Sequence, residues 1–125
     1  MATARHADRM ELMPTEDDVE RIYSTAFAVA VTSEYEGFSL VALEAMARGV
    51  PVIACDVPYG PREVVGDAGL LVDRTPEAVA EAIAQLADDK TLYARLAEDG
   101  RRRARQFTEE RVMKKWLETL DMTEI

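Results

Sequence analysis

The stretch FAVAVTSEYEGFSLVALEAMARGVPVIAC, residues 27–55, decides the fold. Phe27 to Thr32 is an uninterrupted apolar run, short and rich in valine, which suits a parallel strand covered on both faces. Ser33 to Gly37 reads as a loop. Phe38 to Arg48 carries Leu40, Leu43, Ala45, Met46 and Ala47 without a glycine, and so favours helix. Gly49 can take the left-handed conformation that stops a helix. Val50 to Cys55 is a second buried strand, with Pro51 near its start, where a missing donor is tolerable. Strand, helix, strand is the unit from which parallel sheets are built.

The pattern continues on both sides. Upstream, residues 1–9 are polar and read as frayed, and Met10 to Met13 could form a short strand. Thr15-Glu16-Asp17-Asp18 has the form of a capping box, followed at helical spacing by Val19, Ile22, Tyr23 and Ala26. Downstream, Tyr59-Gly60-Pro61 marks a turn, Arg62 to Val65 could make one helical turn, and Gly69 to Val72 is a short strand. Thr75-Pro76 opens a helix whose buried stripe is Val79, Ala82, Ile83 and Leu86. A further helix is expected from Thr91 to Gln106, interrupted in propensity by Gly100. Thr108 would cap a last one bearing Val112, Met113, Trp116, Leu117 and Leu120. The expectation is a single α/β domain over residues 1–125, a Rossmann-like parallel sheet flanked by helices, ending in helices from about 76 to 120.

Composition narrows the partners. At 125 residues the chain suffices for one modest core. Its net charge of -9 disfavours nucleic acid and anionic membranes, both of which ask for a basic face. Cys55 is alone, so no intramolecular disulfide can form. No apolar run reaches membrane-spanning length, and the N-terminus lacks the apolar stretch of a secretory signal. Together these predict a cytoplasmic chain.

Glu34 to Met46 carries the chemistry. It lies where the first strand gives way to the helix, at the C-terminal edge of the sheet, and ligands of open α/β folds bind there. A helix start near Phe38 presents unpaired N–H groups and the positive end of the dipole. Gly37 lets a bulky anion approach the backbone, Ser39 can add a hydroxyl donor, and a diphosphate fits such a place. Glu44 follows about six residues into the helix, roughly 9 Å along its axis, and could accept two hydrogen bonds from a vicinal diol such as a ribose. Glu36, before the helix, could accept from hydroxyls of a sugar at the other end of the diphosphate. A solvated loop charge and an exposed helix residue are the ordinary alternatives for these two acids. No cluster has metal-ligand spacing.

With seven residues between Glu36 and Glu44, the segment E-G-F-S-L-V-A-L-E-A-M-A-R-G-V-P-V-I-A resembles the E-x7-E motif of retaining GT-B glycosyltransferases of family 4. Asp56, Arg62-Glu63-Val64-Val65 and Gly66-Asp67-Ala68-Gly69-Leu70-Leu71-Val72 match the family's usual continuation, and the resemblance runs from about Met10 to Leu120. Tyr59-Gly60-Pro61 is similar to a bacterial branch acting on cell-wall polymers and surface proteins. The resemblance implies the C-terminal, donor-binding part of such an enzyme and a nucleotide-diphosphate sugar donor, a UDP-sugar first. By the same resemblance Glu36 is the candidate catalytic residue, touching donor-sugar hydroxyls. The amides of Gly37, Phe38, Ser39 and Leu40 would hold the diphosphate, and Glu44 the ribose. No cofactor or metal is implied. The configuration at the sugar would be kept by front-face attack, the leaving diphosphate helping to deprotonate the acceptor.

Measured against the family, the chain lacks the acceptor domain and the opening βα units of the donor domain, where the family places an Arg and a Lys. The expectation is an open sheet edge prone to self-association and no transfer by these residues alone, the acceptor domain coming from elsewhere in the protein or from a partner chain. A non-catalytic interaction or nucleotide-sugar-binding module is the alternative, and a phosphorylase or sugar-phosphate synthase a third. Of the remaining residues, Arg101, Arg102, Arg103 and Arg105 are expected to form a solvated face pairing with Glu98 and Asp99, and Cys55, Phe107 and Trp116 to pack in the core. Tyr59 and Arg62 are read either as a turn or as lining the acceptor side of the cleft.

Overall fold

The computed structural model describes residues 9–10, 19–32, 40–56, 61–107, 114 and 117–119. Its sheet comprises β1 (Val29–Val31), β2 (Val52–Cys55) and β3 (Leu70–Val72). They pair in parallel in the order β1-β2-β3, with Ala30 opposite Ile53 and Ile53 opposite Leu70. A helix separates each pair and returns the chain to the same edge: α2 (Leu40–Ala47) after β1, α3 (Pro61–Val65) after β2. The helix α1 (Val19–Thr25) precedes β1. After β3 come α4 (Pro76–Asp88), α5 (Lys90–Ala104) and a 3-10 turn at Arg105–Phe107. This is the expected parallel sheet flanked by helices.

The central strand β2 is buried at all four positions, which explains its unbroken apolar run. Alternate side chains point to opposite faces, so β2 feeds two cores. Val52 and Ala54 pack with Tyr23 of α1, Ala42, Ala45 and Met46 of α2, and Val64 and Val65 of α3. Ile53 packs with Ala82 and Leu86 of α4 and Leu96 of α5. Both crossover helices share one face, as crossovers of one hand require.

Helix ends follow local chemistry. α2 stops at Gly49, whose φ of 74° is left-handed. Gly49 N–H donates to Met46 O (3.0 Å) and Val50 N–H to Ala45 O (2.9 Å), the pair of bonds that satisfies a helix's last carbonyls in a Schellman turn. Thr75 caps α4 through its side chain, which accepts from Ala78 N–H at 3.1 Å, with Pro76 in the first turn. Asp89 caps α5 by accepting from Leu92 N–H at 2.9 Å, so that helix starts at Lys90, one residue before the predicted Thr91.

The course of α5 is the feature that sequence patterning did not reveal. Tyr93 donates to the carbonyl of Phe27 (2.6 Å) and stacks on its ring, centroids 4.9 Å apart. Gly100 is buried against Met46, and the guanidinium of Arg101 lies over Gly49. Arg103 donates to the carbonyls of Val64 (Nε, 2.5 Å) and Glu63 (Nη2, 2.7 Å). Phe27, Gly49 and the Glu63–Gly66 region lie just ahead of β1, β2 and β3 in turn. The helix therefore runs along the N-terminal edge of the three described strands.

Some expectations need correction, among them the buried stripe of α4, in which Ile83 is 44% exposed. Arg101 and Arg102 do pair with Glu98 at 3.8 Å, as the solvated-face reading holds. Arg103 does not belong to that face, because its guanidinium takes up the last carbonyls of α3, the groups a helix end leaves unpaired. The first strand is also shorter than Phe27–Thr32: the ladder opens with Val29 N–H to Pro51 O (2.9 Å), since the Phe27 carbonyl is engaged by Tyr93. Gly100 does not interrupt α5, which runs through it. Cys55 is buried, as expected. The proposed strand at Met10–Met13 and the capping box at 15–18 fall outside the described residues, apart from Met10, which is not in a strand. Of the proposed last helix, Lys114 and Leu117 to Thr119 are described, and are helical. Among the described residues no helix is long and apolar enough to cross a membrane.

Candidate functional site

Parallel strands bring Val31, Cys55 and Val72 to one edge, and the residues that follow them form a polar rim. Asp56 N–H donates to Val72 O at 2.8 Å, extending the ladder to the rim itself. The Asp56 carboxylate accepts from Arg62 Nε (3.0 Å) and Nη2 (2.7 and 2.6 Å), a fork that fixes the start of α3 against the end of β2. This pair places Arg62, read beforehand as a turn or cleft residue, on the rim with a carboxylate partner. Arg74, just beyond β3, reaches across to donate to Thr32 O at 3.2 Å. That contact ties the far side of the sheet to the point where the segment leading into α2 departs.

Glu36, Gly37, Phe38 and Ser39, together with Tyr59, lie outside the described residues. Leu40 and Glu44 lie within them. Leu40 is the first described residue of α2 and is 61% exposed, and Val41 beside it is 45% exposed. An apolar pair open to solvent at the start of a helix whose later residues Ala42, Ala45 and Met46 are buried marks this end of α2 as the one facing outward. Glu44 lies one turn further on, half-buried.

Glu44 is held from α1. The Tyr23 hydroxyl donates to Glu44 Oε2 at 3.2 Å. Among the described residues Oε1 accepts no hydrogen bond. Arg48, four residues on and so on the same helix face, donates from Nη1 to the Glu44 carbonyl at 2.9 Å. Its guanidinium sits 5.1 Å from the Tyr23 ring centroid and is anchored by Glu20, which accepts from Nε at 2.7 Å and also pairs with Nη2. The Glu20 bond keeps Arg48 above its ordinary value. Burial, then the negative charge of Glu44 and the bond to it, push the Tyr23 phenol up, while Arg48 acts in the opposite direction.

Sequence reasoning placed Tyr23 in a buried helix stripe and missed its polar end. The available signal was a tyrosine among aliphatic stripe residues, since a buried hydroxyl needs a partner. Arg48, at i+4 from Glu44, carried a similar signal. A groove of about 510 Å³, lined by Tyr23, Arg48, Gly49, Tyr93 and Arg101 among others, opens at the other, N-terminal edge of the sheet. Its arginines are already paired, Arg48 with Glu20 and Arg101 with Glu98. Among the described residues no three His, Cys, Asp or Glu side chains converge as a metal site would require.

The family model for glycosyl transferases group 1 matches residues 5–103, most of the chain and all of the segment that carries both acids. The chain belongs to the glycosyl transferase group 1 family. It is similar to a D-inositol 3-phosphate glycosyltransferase of Corynebacterium glutamicum, 47% identical over 89 residues, which are 70% of this chain and 21% of that one. Among solved structures it is similar to TarM, with a TM-score of 0.71, 28% identity, and coverage of 82% of this chain and 22% of TarM. It is likewise similar to the pneumococcal O-GlcNAc transferase GtfA in complex with UDP and GlcNAc, with a TM-score of 0.66, 29% identity, and coverage of 84% and 22%. This group 1 chain thus spans about a fifth of the length of each of these three relatives.

Proposed function

We propose that this chain is the donor-binding part of a retaining glycosyltransferase of the family 4 type, and that it binds a UDP-sugar at the C-terminal edge of its sheet. The observation that carries the proposal is Glu44: a half-buried carboxylate near the outward-facing start of α2, steadied from one side and leaving Oε1 without a partner among the described residues. A carboxylate presented in this way suits a ribose diol, because it can accept two hydrogen bonds that a diol can donate. The amides of Gly37, Phe38, Ser39 and Leu40 would receive the diphosphate, using the positive end of the α2 dipole. Glu36 would bind hydroxyls of the transferred sugar. GtfA, bound to UDP and GlcNAc, supports the choice of donor.

In this scheme the acceptor oxygen attacks the anomeric carbon from the face the diphosphate leaves. The new C–O bond forms as the C–O bond to phosphate breaks, and the departing phosphate oxygen takes the acceptor's proton. The protein's main electrostatic task is to stabilise the leaving diphosphate. Glu36 and Glu44 hold hydroxyls and are not a glycosidase acid–nucleophile pair. The acceptor would be presented by a second domain, elsewhere in the protein or on a partner chain, so the 125 residues on their own are expected to bind donor without transferring sugar. Among the described residues β1 is paired on one side only, and such a partner, or a second copy, could add a strand at the other.

Titration calorimetry with UDP-glucose and UDP-N-acetylglucosamine tests the reading. Wild type should bind, and Glu44→Ala should bind about tenfold or more weakly, as when a charged hydrogen-bond acceptor is removed. Absence of binding by either protein would favour a non-catalytic interaction module on the same fold. Enzyme-dependent transfer from a radiolabelled donor by the isolated chain would overturn the expectation that it is inactive alone.

A further inference from the structure

We infer that Tyr23 is a positioning residue for the nucleotide: its hydroxyl fixes the Glu44 carboxylate in the orientation that meets the ribose. The inference rests on the donor-site reading above. Its own basis is a connected chain of contacts from α1 to α2. Tyr23 is 8% exposed and donates to Glu44 Oε2 at 3.2 Å. Its ring cannot swing away freely, because Arg48 lies over it at 5.1 Å and Arg48 is tied to Glu20 and to the Glu44 carbonyl. The buried ring and the ion pair thus hold the hydroxyl, and the hydroxyl holds one carboxylate oxygen.

A glutamate has three side-chain torsions, and binding a ligand through an unrestrained carboxylate costs the entropy of freezing them. A carboxylate already held at Oε2 incurs less of that cost and presents Oε1 in one place, which is preorganisation in its ordinary sense. The hydrogen bond from Tyr23 occupies one of about four acceptor directions on the carboxylate, so about three remain, enough for the two hydroxyls of a diol. A phenylalanine would fill the same space without the hydroxyl, leaving the fold intact and the carboxylate loose.

The test compares UDP with 2′,3′-dideoxy-UDP, binding each to wild type, Tyr23→Phe, Glu44→Ala and the double variant by calorimetry. Wild type should prefer UDP. Tyr23→Phe should lose about 3- to 10-fold in UDP affinity, the scale of one lost hydrogen bond, with the affinity for the dideoxy compound unchanged. In the Glu44→Ala background the Tyr23→Phe change should have no further effect, because the group it orients is gone. A purely structural role for Tyr23 would weaken both nucleotides alike, or neither, and would overturn the inference. If Glu44→Ala abolishes the preference for UDP while Tyr23→Phe keeps it, the inference fails and the ribose reading of Glu44 stands. If wild type does not distinguish the two nucleotides, or binds neither, the ribose reading fails and takes the inference with it. Thermal unfolding of Tyr23→Phe identifies any loss of fold, and Tyr23→Leu, which removes ring and hydroxyl together, should lose the preference for UDP at least as completely.

Discussion

Alanine at Gly49 and alanine at Gly100 should move stability in opposite directions. Gly49 has a φ of 74°, and a left-handed conformation costs a residue with a side chain about 1–2 kcal/mol. Its new methyl would also meet the Arg101 guanidinium at 2.3 Å. That group is the end of a flexible side chain and can move aside, giving up its packing, so roughly 1 kcal/mol or less is added. The sum is a loss of about 1–3 kcal/mol. A methyl at Gly100 would instead meet Met46 Cβ at 3.5 Å, an ordinary contact. No steric term opposes the helical gain of alanine over glycine, about 0.8–1 kcal/mol. For a chain of this size 1 kcal/mol corresponds to roughly 3–5 °C in Tm. Thermal unfolding followed by circular dichroism should therefore show Gly49→Ala lower by about 3–15 °C and Gly100→Ala unchanged or higher by up to about 5 °C. A Gly49→Ala protein with the wild-type Tm would refute the left-handed end of α2. A Gly100→Ala protein that melts well below wild type would refute the packing of α5 on α2.

Two further predictions separate roles that look alike in the sequence. Arg103→Ala should cost about 1–3 kcal/mol in urea unfolding, because two carbonyls at the end of α3 lose a charged donor. Arg102→Ala, whose pairs to Glu98 and Asp99 are long and exposed, should stay within about 0.5 kcal/mol of wild type. For Tyr23, a phenol raised by burial and by Glu44 means that its contribution is complete below the free phenol range and is lost as pH rises through the folded value. The urea midpoint should accordingly fall more between about pH 9 and pH 11 in wild type than in Tyr23→Phe, the free phenol titrating near 10. Equal falls would show that Tyr23 carries none of the alkaline sensitivity.

Much of the fold can be read from residues 27–72, and the reasons are local. Short valine-rich runs bounded by glycine and proline read as strands, of which the central β2 buries both faces, and Gly49 and Thr75-Pro76 mark helix ends through backbone geometry alone. The path of α5 is different. The sequence from Thr91 to Gln106 announces a helix, but nothing local says that Tyr93, Arg101 and Arg103 meet the starts of three different strands, or that Gly100 packs on Met46 of α2. That arrangement is set by tertiary packing, and it is why an arginine cluster that reads as solvent-facing contains one member that caps another helix. In the candidate site, Glu44 stood out by spacing and by resemblance. Its support from Tyr23 spans 21 residues and joins two helices. Such a link depends on how α1 lies against α2, which periodicity does not encode.

The donor site itself is most directly tested by mapping where nucleotide binds. Amide chemical shifts of the isotope-labelled chain, recorded while UDP is added, should move at Gly37 to Leu40 and around Glu44. They should stay still at Gly49, Tyr93 and Arg101, which line the groove at the opposite edge. Shifts concentrated in that groove, with the start of α2 unmoved, would contradict a diphosphate held at the helix tip.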